Sequence, residues 1–377
     1  MRNAAAPRFT FIANALNGDG PFRPTVTYDS TGAALSIGST YLVRYPRESD
    51  DKFARRNELA VYASPLAQHA ARFCGYLAER TPVRDLPHQL YKAIEADADG
   101  RGNSLDVFLQ DFMIQAKARG SMFLLVDMPK RLPSTLAAQI ATRSAPFLTS
   151  IFPEIVTDYE IGQDGRLTEV SFTGTFTDDD GKNKDCEWTF TTSKWEAKDK
   201  EGILLGSGDI SIGRCPVLLF VETGDYPCFG SFSPIADLSR DLFNLNSELR
   251  EILRAQTFSL LTMQVAEGST NEQKLESAKV IGQTIGTSNL MVHSGQTPAF
   301  IAPPSGPADT YITVIDKLRQ LIDDIGLAVA SPNQQESGIS MQMRFHSINA
   351  ALARFAERME DGRATSTWQR LRPSLKS

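Results

Sequence analysis

The stretch Asp97-Ala98-Asp99-Gly100-Arg101-Gly102-Asn103 comes nearest to a ligand site in this chain. It opens like a calcium loop, with side-chain oxygens at alternate positions and a glycine at the sixth. The pattern then breaks, because Arg101 stands where an oxygen ligand belongs and Phe108 where the bidentate glutamate belongs. A glycine-rich turn is the expectation. Asp178-Asp179-Asp180 reads as a solvated hairpin tip rather than a metal site. His69, His88, His293 and His346 are scattered and form no H-E-x-x-H pair. Cys74, Cys186, Cys215 and Cys228 are widely spaced and contain no C-x-x-C, so reduced thiols in a cytosolic compartment are expected. No G-x-x-x-x-G-K-[ST] phosphate loop is present. The residues therefore name no catalytic group, no cofactor and no metal ligand, and the expectation is a structural protein rather than an enzyme.

The charge balance narrows the partners. Lys and Arg number 39 against 45 Asp and Glu, a formal net charge of -6. A protein that grips nucleic acid does so by neutralising phosphates with clustered cations, and this balance argues against such a grip. DNA passing nearby is still compatible with it. The amino-terminal residues lack a charged segment followed by a long apolar one, so no signal peptide is read. No apolar run is long enough to span a bilayer.

The elements that would position any site fall into two halves. The first fifty residues are rich in turn formers, and Tyr41 to Pro46 reads as a short strand. Helical spacing follows from Asp51 to Arg80, with Pro65 either kinking one helix or starting a second. Ser104 can cap a helix that Gly120 ends, and Met122 to Val126 is a buried strand. Between Phe147 and Val221 the period becomes two, with turns at Asp164-Gly165 and Asp180-Gly181. Antiparallel hairpins are expected there, with Trp188, Phe190 and Trp195 on the aromatic side and Val217 to Val221 as the most buried strand.

After Gly230 the pattern is helical again. Ser233-Pro234 starts a helix expected to run to about Thr262, ~40 Å at 1.5 Å per residue. Ile235, Leu238, Leu242, Leu245, Leu249 and Ile252 form a heptad-like seam on it, which calls for a partner helix. Its charges are mixed: Arg240, Arg250 and Arg254 against Asp237, Asp241, Glu248 and Glu251. A compact insert follows, with strands near Leu261 to Val265, Asn289 to His293 and Thr297 to Ile301 and a helix from Asn271 to about Ile281. A second helix, Asp309 to Leu327, carries Leu318, Leu321 and Ile325 on its apolar side and Lys317 and Arg319 among its charges. It could return as an antiparallel partner of the first. The polar segment Ser331 to Gly338 reads as a solvent-facing loop. Asn333, Gln334, Gln335, Glu336 and Ser337 there could touch phosphates by hydrogen bonding, or do nothing. A last helix, with Met341, Phe345, Ile348, Leu352, Phe355 and Met359 on one side, ends near Gly362.

This order resembles the portal proteins of tailed bacteriophages over roughly Tyr41 to Asp361. The stretches Tyr41 to Asp50, Asp97 to Ser104 and Phe232 to Leu238 are similar to members of that family. The resemblance implies an α+β fold: a wing domain of helices and antiparallel sheet (1–234), a first stem helix (235–262), a small α/β clip (263–307) and a second stem helix (308–328). A tunnel loop (329–338), a long wing helix (339–361) and a short tail or vestigial crown (362–377) complete it. It further implies a homo-oligomeric, dodecameric ring at one capsid vertex of the virion, assembled in the host cytoplasm and independent of membrane. Double-stranded DNA would transit its channel. The terminase large subunit, head–tail adaptor or tail proteins and the major capsid protein would be its partners, with no cofactor. Asn333 to Ser337 would be tunnel-loop contacts to DNA. Arg240, Glu248, Arg250, Arg254, Lys317 and Arg319 would be channel-facing or intersubunit charges. Leu238, Leu242, Leu245, Leu249, Ile252, Leu318, Leu321 and Ile325 would pack helices together. Another head–tail adaptor or structural virion protein is the alternative; a hydrolase acting through Asp178 to Asp185 would need a convergent pocket that the sequence does not show.

Overall fold

The computed structural model describes residues 3–79, 89–128, 133, 135, 138, 145–178, 180–257, 260–264, 271–272, 290–293, 299–301, 306–326 and 338–361. The fold is α+β, with helices and mainly antiparallel sheets. The helices are α1 (Ala6–Asn17), α2 (Asp50–Leu59), α3 (Pro65–Ala78), α4 (Gln89–Ala96), α5 (Leu105–Arg119), α6 (Ser233–Thr257), α7 (Gly306–Ile325) and α8 (Gly338–Asp361). The strands are β1 (Val26–Tyr28), β2 (Ala34–Ile37), β3 (Ser121–Asp127), β4 (Phe147–Ile151), β5 (Val156–Ile161), β6 (Leu167–Thr177) and β7 (Asn183–Thr191). They continue with β8 (Lys194–Lys198), β9 (Leu204–Asp209), β10 (Val217–Val221), β11 (Leu260–Gln264), β12 (Leu290–His293) and β13 (Ala299–Ile301). Two compact units divide the chain: Met1–Asp19, Ala63–Ser239 and Ile322–Ser377 make the first, Gly20–Tyr62 and Arg240–Leu321 the second. The segment Gly20–Tyr62 clusters with Arg240–Leu321.

In the first unit, α1 is a helix where only turn formers were expected. Pro7 sits in its first turn, where a missing N–H leaves nothing unpaired, and Gly18 closes it in the left-handed region at φ 69. Phe9, Ile12, Ala15 and Leu16 are buried. Pro65 starts a second helix and does not kink one. Ser64 before it is left-handed, and its Oγ donates to the carbonyls of Ala15 and Leu16 at 2.8 Å.

Helix α5 and β3 form as the sequence indicates, with Ser104 accepting from the Val107 amide and Gly120 turning left-handed. β3 is the central strand of an antiparallel sheet, β10-β3-β4, while β5 to β9 form a separate five-stranded meander. The expected hairpin turns at Gly165 and Gly181 are there. Val217–Val221, expected in the meander, pairs instead with Ser121–Leu125. A run of apolar residues identifies a buried strand but not its neighbour. The core of this unit joins Phe9, Phe123, Leu125, Val170, Phe172, Phe190, Leu219 and Tyr226.

One backbone crossing sets the geometry beside that core. A Cβ on Gly120 would lie 2.0 Å from the Gly230 nitrogen, and one on Gly230 would lie 2.5 Å from the Lys117 carbonyl. Only glycine permits this approach. The Gly230 amide donates to the Arg119 carbonyl at 3.0 Å and the Glu222 amide to the Gly120 carbonyl at 2.8 Å. The crossing brings Lys117 Nζ within 2.6 Å of Glu222 Oε1 and 2.8 Å of Ser231 Oγ, and both ionic side chains are buried. Rings of Phe73, Phe232 and Phe355 stand 4.2, 4.5 and 5.2 Å from the ammonium. Two residues on, Arg119 is bonded to Glu154 at 2.6 Å and 3.0 Å and lies under Phe152. Lys117 and Arg119, at the end of α5, are therefore buried. All four cysteines are free, and burial pushes the Cys74 thiol up to about 12 and Cys215 up to about 11, so both stay protonated at neutral pH.

In the second unit Tyr41–Pro46 is not a strand. Side chains take its backbone groups instead. Asn244 on α6 donates to the Tyr41 carbonyl at 3.0 Å and accepts from the Val43 amide at 2.8 Å, and Arg56 on α2 donates to the Val43 carbonyl at 2.5 Å. Arg56 is 3% exposed, forks onto both oxygens of Glu48 at 2.8 Å and stacks over Tyr45. Phe22, Tyr41, Tyr62 and Phe243 form an aromatic cluster. Helix α6 ends at Thr257, before the expected Thr262, because Leu260–Gln264 enters a sheet ordered β12-β11-β13. β11 runs parallel to β12 and antiparallel to β13. Asn271 and Glu272 are helical; the rest of the helix expected there lies outside the described residues.

Lys117→Met should lower the stability of the first unit by about 3–5 kcal/mol, since it strands Glu222 in the interior. Urea unfolding would measure this, and the double variant Lys117→Met/Glu222→Leu should recover much of the loss. Gly120→Ala should be at least as damaging, because backbone rather than a side chain must move.

Candidate functional site

Among the described residues no group of three or more His, Cys, Asp or Glu is placed to hold a metal ion. The calcium-like loop satisfies its own oxygens: Asp99 Oδ1 accepts from the Arg101 amide at 2.9 Å, its Oδ2 from Asn103 Nδ2 at 2.7 Å, and Asp97 Oδ1 from the Gly102 amide at 2.9 Å. It is a turn that delivers Ser104 to the start of α5. The carboxylate of Asp178 likewise accepts from the Lys182 amide at its hairpin tip. No described helix is long and apolar enough to cross a membrane.

The arrangement with interaction chemistry is the pair of long helices flanking the three-stranded sheet. On α6 the described buried residues are Ser233, Ile235, Ala236, Ser239, Leu242, Phe243 and Ser247. The leucine seam lies mostly to one side of them: Leu242 is covered, whereas Leu238, Leu245, Leu249 and Ile252 are half-buried and Leu253 is 45% exposed. On α7, Ala308, Ile315 and Ile322 recur every seven residues and are buried. Leu318 and Ile325 are half-buried and Leu321 is 47% exposed. Among the described residues both helices thus carry apolar side chains that are only partly covered. In the second unit they meet through Tyr311, whose hydroxyl donates to Glu248 at 2.8 Å; that hydrogen bond raises the Tyr311 pKa.

The six charges singled out in the sequence have different fates. Glu248 is held by Tyr311, and Arg250 donates to the Leu59 carbonyl. Arg254 pairs with Glu251 at 3.4 Å and Arg319 with Asp316 at 3.7 Å, both one helical turn away and exposed. Arg240 and Lys317 are exposed. The mixed charge on these helices is therefore largely balanced in place. Asn333 to Ser337 lie outside the described residues. On α8, Ile348 and Phe355 are buried, with Phe355 edge-on to Phe73 and Phe220, while Phe345 is 44% exposed.

The carboxyl end of α7 has a partner that spacing did not indicate. His69 on α3 is buried, its Nε2 3.3 Å from Asp323 Oδ1. A Cβ on Gly326 would lie 2.1 Å from the imidazole, so the glycine admits the ring. Burial, then the Arg72 charge, depress the His69 pKa, against the opposing pull of Asp323.

No protein-family profile matches the chain, and no curated protein matches it. Solved structures include two similar ones. A chain from the neck of an empty GTA particle, computed with C6 symmetry, has a TM-score of 0.44 at 10% identity, covering 83% of this chain and 87% of that one. A chain from the virion of a native gene transfer agent particle has a TM-score of 0.41 at 11% identity, covering 98% and 96%. Likenesses this distant leave the function to be argued from the residues.

Tyr311→Phe should cost about 1–2 kcal/mol by leaving Glu248 without its donor, measurable by denaturant unfolding. The depressed His69 pKa means that the unfolded chain binds the proton more readily. Stability should then fall as pH drops below the ordinary imidazole value of 6.5. Thermal melts from pH 7 to 5 should fall less steeply for His69→Gln than for the parent.

Proposed function

We propose that this chain is a ring-forming structural subunit of the head-to-tail region of a phage-like particle, and within that class a portal. The order of elements carries the reading: α6, a three-stranded sheet built from residues 260–301, α7 and then α8, with leucine rows on both long helices left half covered. Copies arranged around an axis could cover those rows, and heptad-like spacing suits helix against helix. In this reading α6 and α7 are the stem and the sheet between them is the clip on which a terminase and later an adaptor dock. The segment expected at 329–338, whose last residue Gly338 begins α8, would be the tunnel loop.

The charges fit a conduit. Each firm phosphate contact would oppose translocation, and affinity for DNA scales with the cations that neutralise phosphates. Arg254 and Arg319 are already paired with carboxylates on their own helices, and Arg250 with a carbonyl. What is left for the duplex is weak and non-specific. No step of covalent chemistry belongs to this role.

Negative-stain microscopy and native mass spectrometry of the full chain should show a closed ring with a central channel. Leu245→Glu/Leu249→Glu should leave a folded subunit that no longer assembles; a parent protein that stays monomeric under capsid-assembly conditions sinks the proposal. To separate portal from adaptor, particles can be assembled without the protein. A portal's absence should leave heads empty, whereas heads that fill with DNA and then leak would mark an adaptor.

A further inference from the structure

One buried side chain joins the end of α7 to α3. His69, on α3, is 4% exposed, and both of its ring nitrogens meet the same short stretch of chain, residues 322–326. Nε2 lies 3.3 Å from Asp323 Oδ1. Nδ1 lies against the Gly326 backbone, so close that a Cβ there has no room. The Gly326 amide already donates to the Ile322 carbonyl at 2.8 Å, which closes the helix. The chain divides between Leu321 and Ile322, so this last turn is the part of α7 that belongs with His69 in the first unit. Ile322 is buried in it, whereas Asp324 is exposed.

That seat suits a neutral ring better than a charged one. A neutral imidazole donates from Nε2 to Asp323 and keeps a lone pair at Nδ1, which makes no hydrogen bond among the described residues. Protonation places a second N–H at Nδ1 and a positive charge where water does not reach. Burial, then the Arg72 charge one turn along α3, oppose the charged ring. Asp323 and the Gly326 backbone favour it less, the carboxylate being 39% exposed and screened by solvent. The described charges on the other helices packed against α3 do not pair with the ring. Arg8 of α1 is bonded to Asp237, and Lys117 and Arg119 of α5 to Glu222 and Glu154. Asp106 and Asp111 of α5, and His346, Arg354, Glu357 and Arg358 of α8, are exposed.

We propose that His69 is a proton-operated latch: its neutral ring holds the last turn of α7 against α3, and the turn comes away when the ring takes up a proton. The burial sets the order of events. The covered ring is out of reach of water, so the proton is captured while the turn is away, and the captured charge then keeps the seat empty. The seated ring has a pKa below the ordinary imidazole value of 6.5, so the hold is fully present above that value and is lost as pH falls through and below it. The latch operates within a single chain, with or without assembly into a ring.

Amide hydrogen exchange of the full chain, read by mass spectrometry at pH 7 and pH 5 with labelling times scaled to the intrinsic exchange rate, tests it. Peptides covering residues 320–326 should lose protection by about tenfold at the lower pH, while those covering Ser121–Asp127 in the core sheet keep theirs. His69→Gln retains a donor for Asp323 but cannot titrate, and its residues 320–326 should stay protected at both values. Arg72→Gln, at an exposed position, removes a charge that opposes the proton and should cut the acid-induced loss to about threefold. Equal loss in His69→Gln and the parent, loss spread evenly over the core sheet and residues 320–326, or no loss at pH 5 would each overturn the proposal. Should His69→Gln not fold, an undiminished loss in Arg72→Gln overturns it alone.

Discussion

Two backbone segments pass each other at Gly120 and Gly230 with no room for a side chain on either, and the first unit is organised around that crossing. The contact ties the end of α5 to the segment between β10 and α6 through backbone hydrogen bonds. It also fixes where Lys117 must point. Once its ammonium is carried inside, it needs a carboxylate, and Glu222 supplies one at the end of the paired strand. The aromatic rings around it come from α3, from the residue before α6 and from α8. An ion pair in such a place contributes less to net stability than to uniqueness: any other packing of these elements would leave a bare charge in the interior.

In the second unit one segment meets a related problem without strand pairing. Tyr41–Pro46 is an irregular segment whose amides and carbonyls would otherwise compete with packing. Asn244, from a helix two hundred residues away in sequence, and Arg56, from the helix that follows the segment, bond them directly. Glu48 then neutralises Arg56, so a buried guanidinium does the work that strand pairing would do elsewhere.

What the chain leaves uncovered is as informative as what it buries. Leu245, Leu249 and Ile252 on α6 and Leu321 on α7 lie beside covered residues and are themselves incompletely covered. An apolar row at heptad spacing with water on one side is under pressure to find another surface. In the proposed ring, adjacent copies provide it, and the locally paired charges on the same helices keep the remaining faces soluble without making them sticky for DNA.

The sequence by itself determined most of the local structure. Ser104 and Gly120 bound α5, the paired turns bound the meander hairpins, and proline at the start of α3 and α6 marks their beginnings, because caps and turns act within a few residues. Pro7 and Gly18 carried the same signal for α1, although the turn formers around them obscured it. The seam residues were legible as apolar and periodic. Which of them the chain covers was not, because Leu242 and Leu245 differ only in what lies opposite. Tertiary structure alone decided that β10 pairs with β3, that Tyr41–Pro46 is held by side chains, and that Lys117 and Arg119 turn inward. Each of those outcomes rests on groups brought together across long stretches of chain, and a periodicity or a cap reports only on its own neighbourhood.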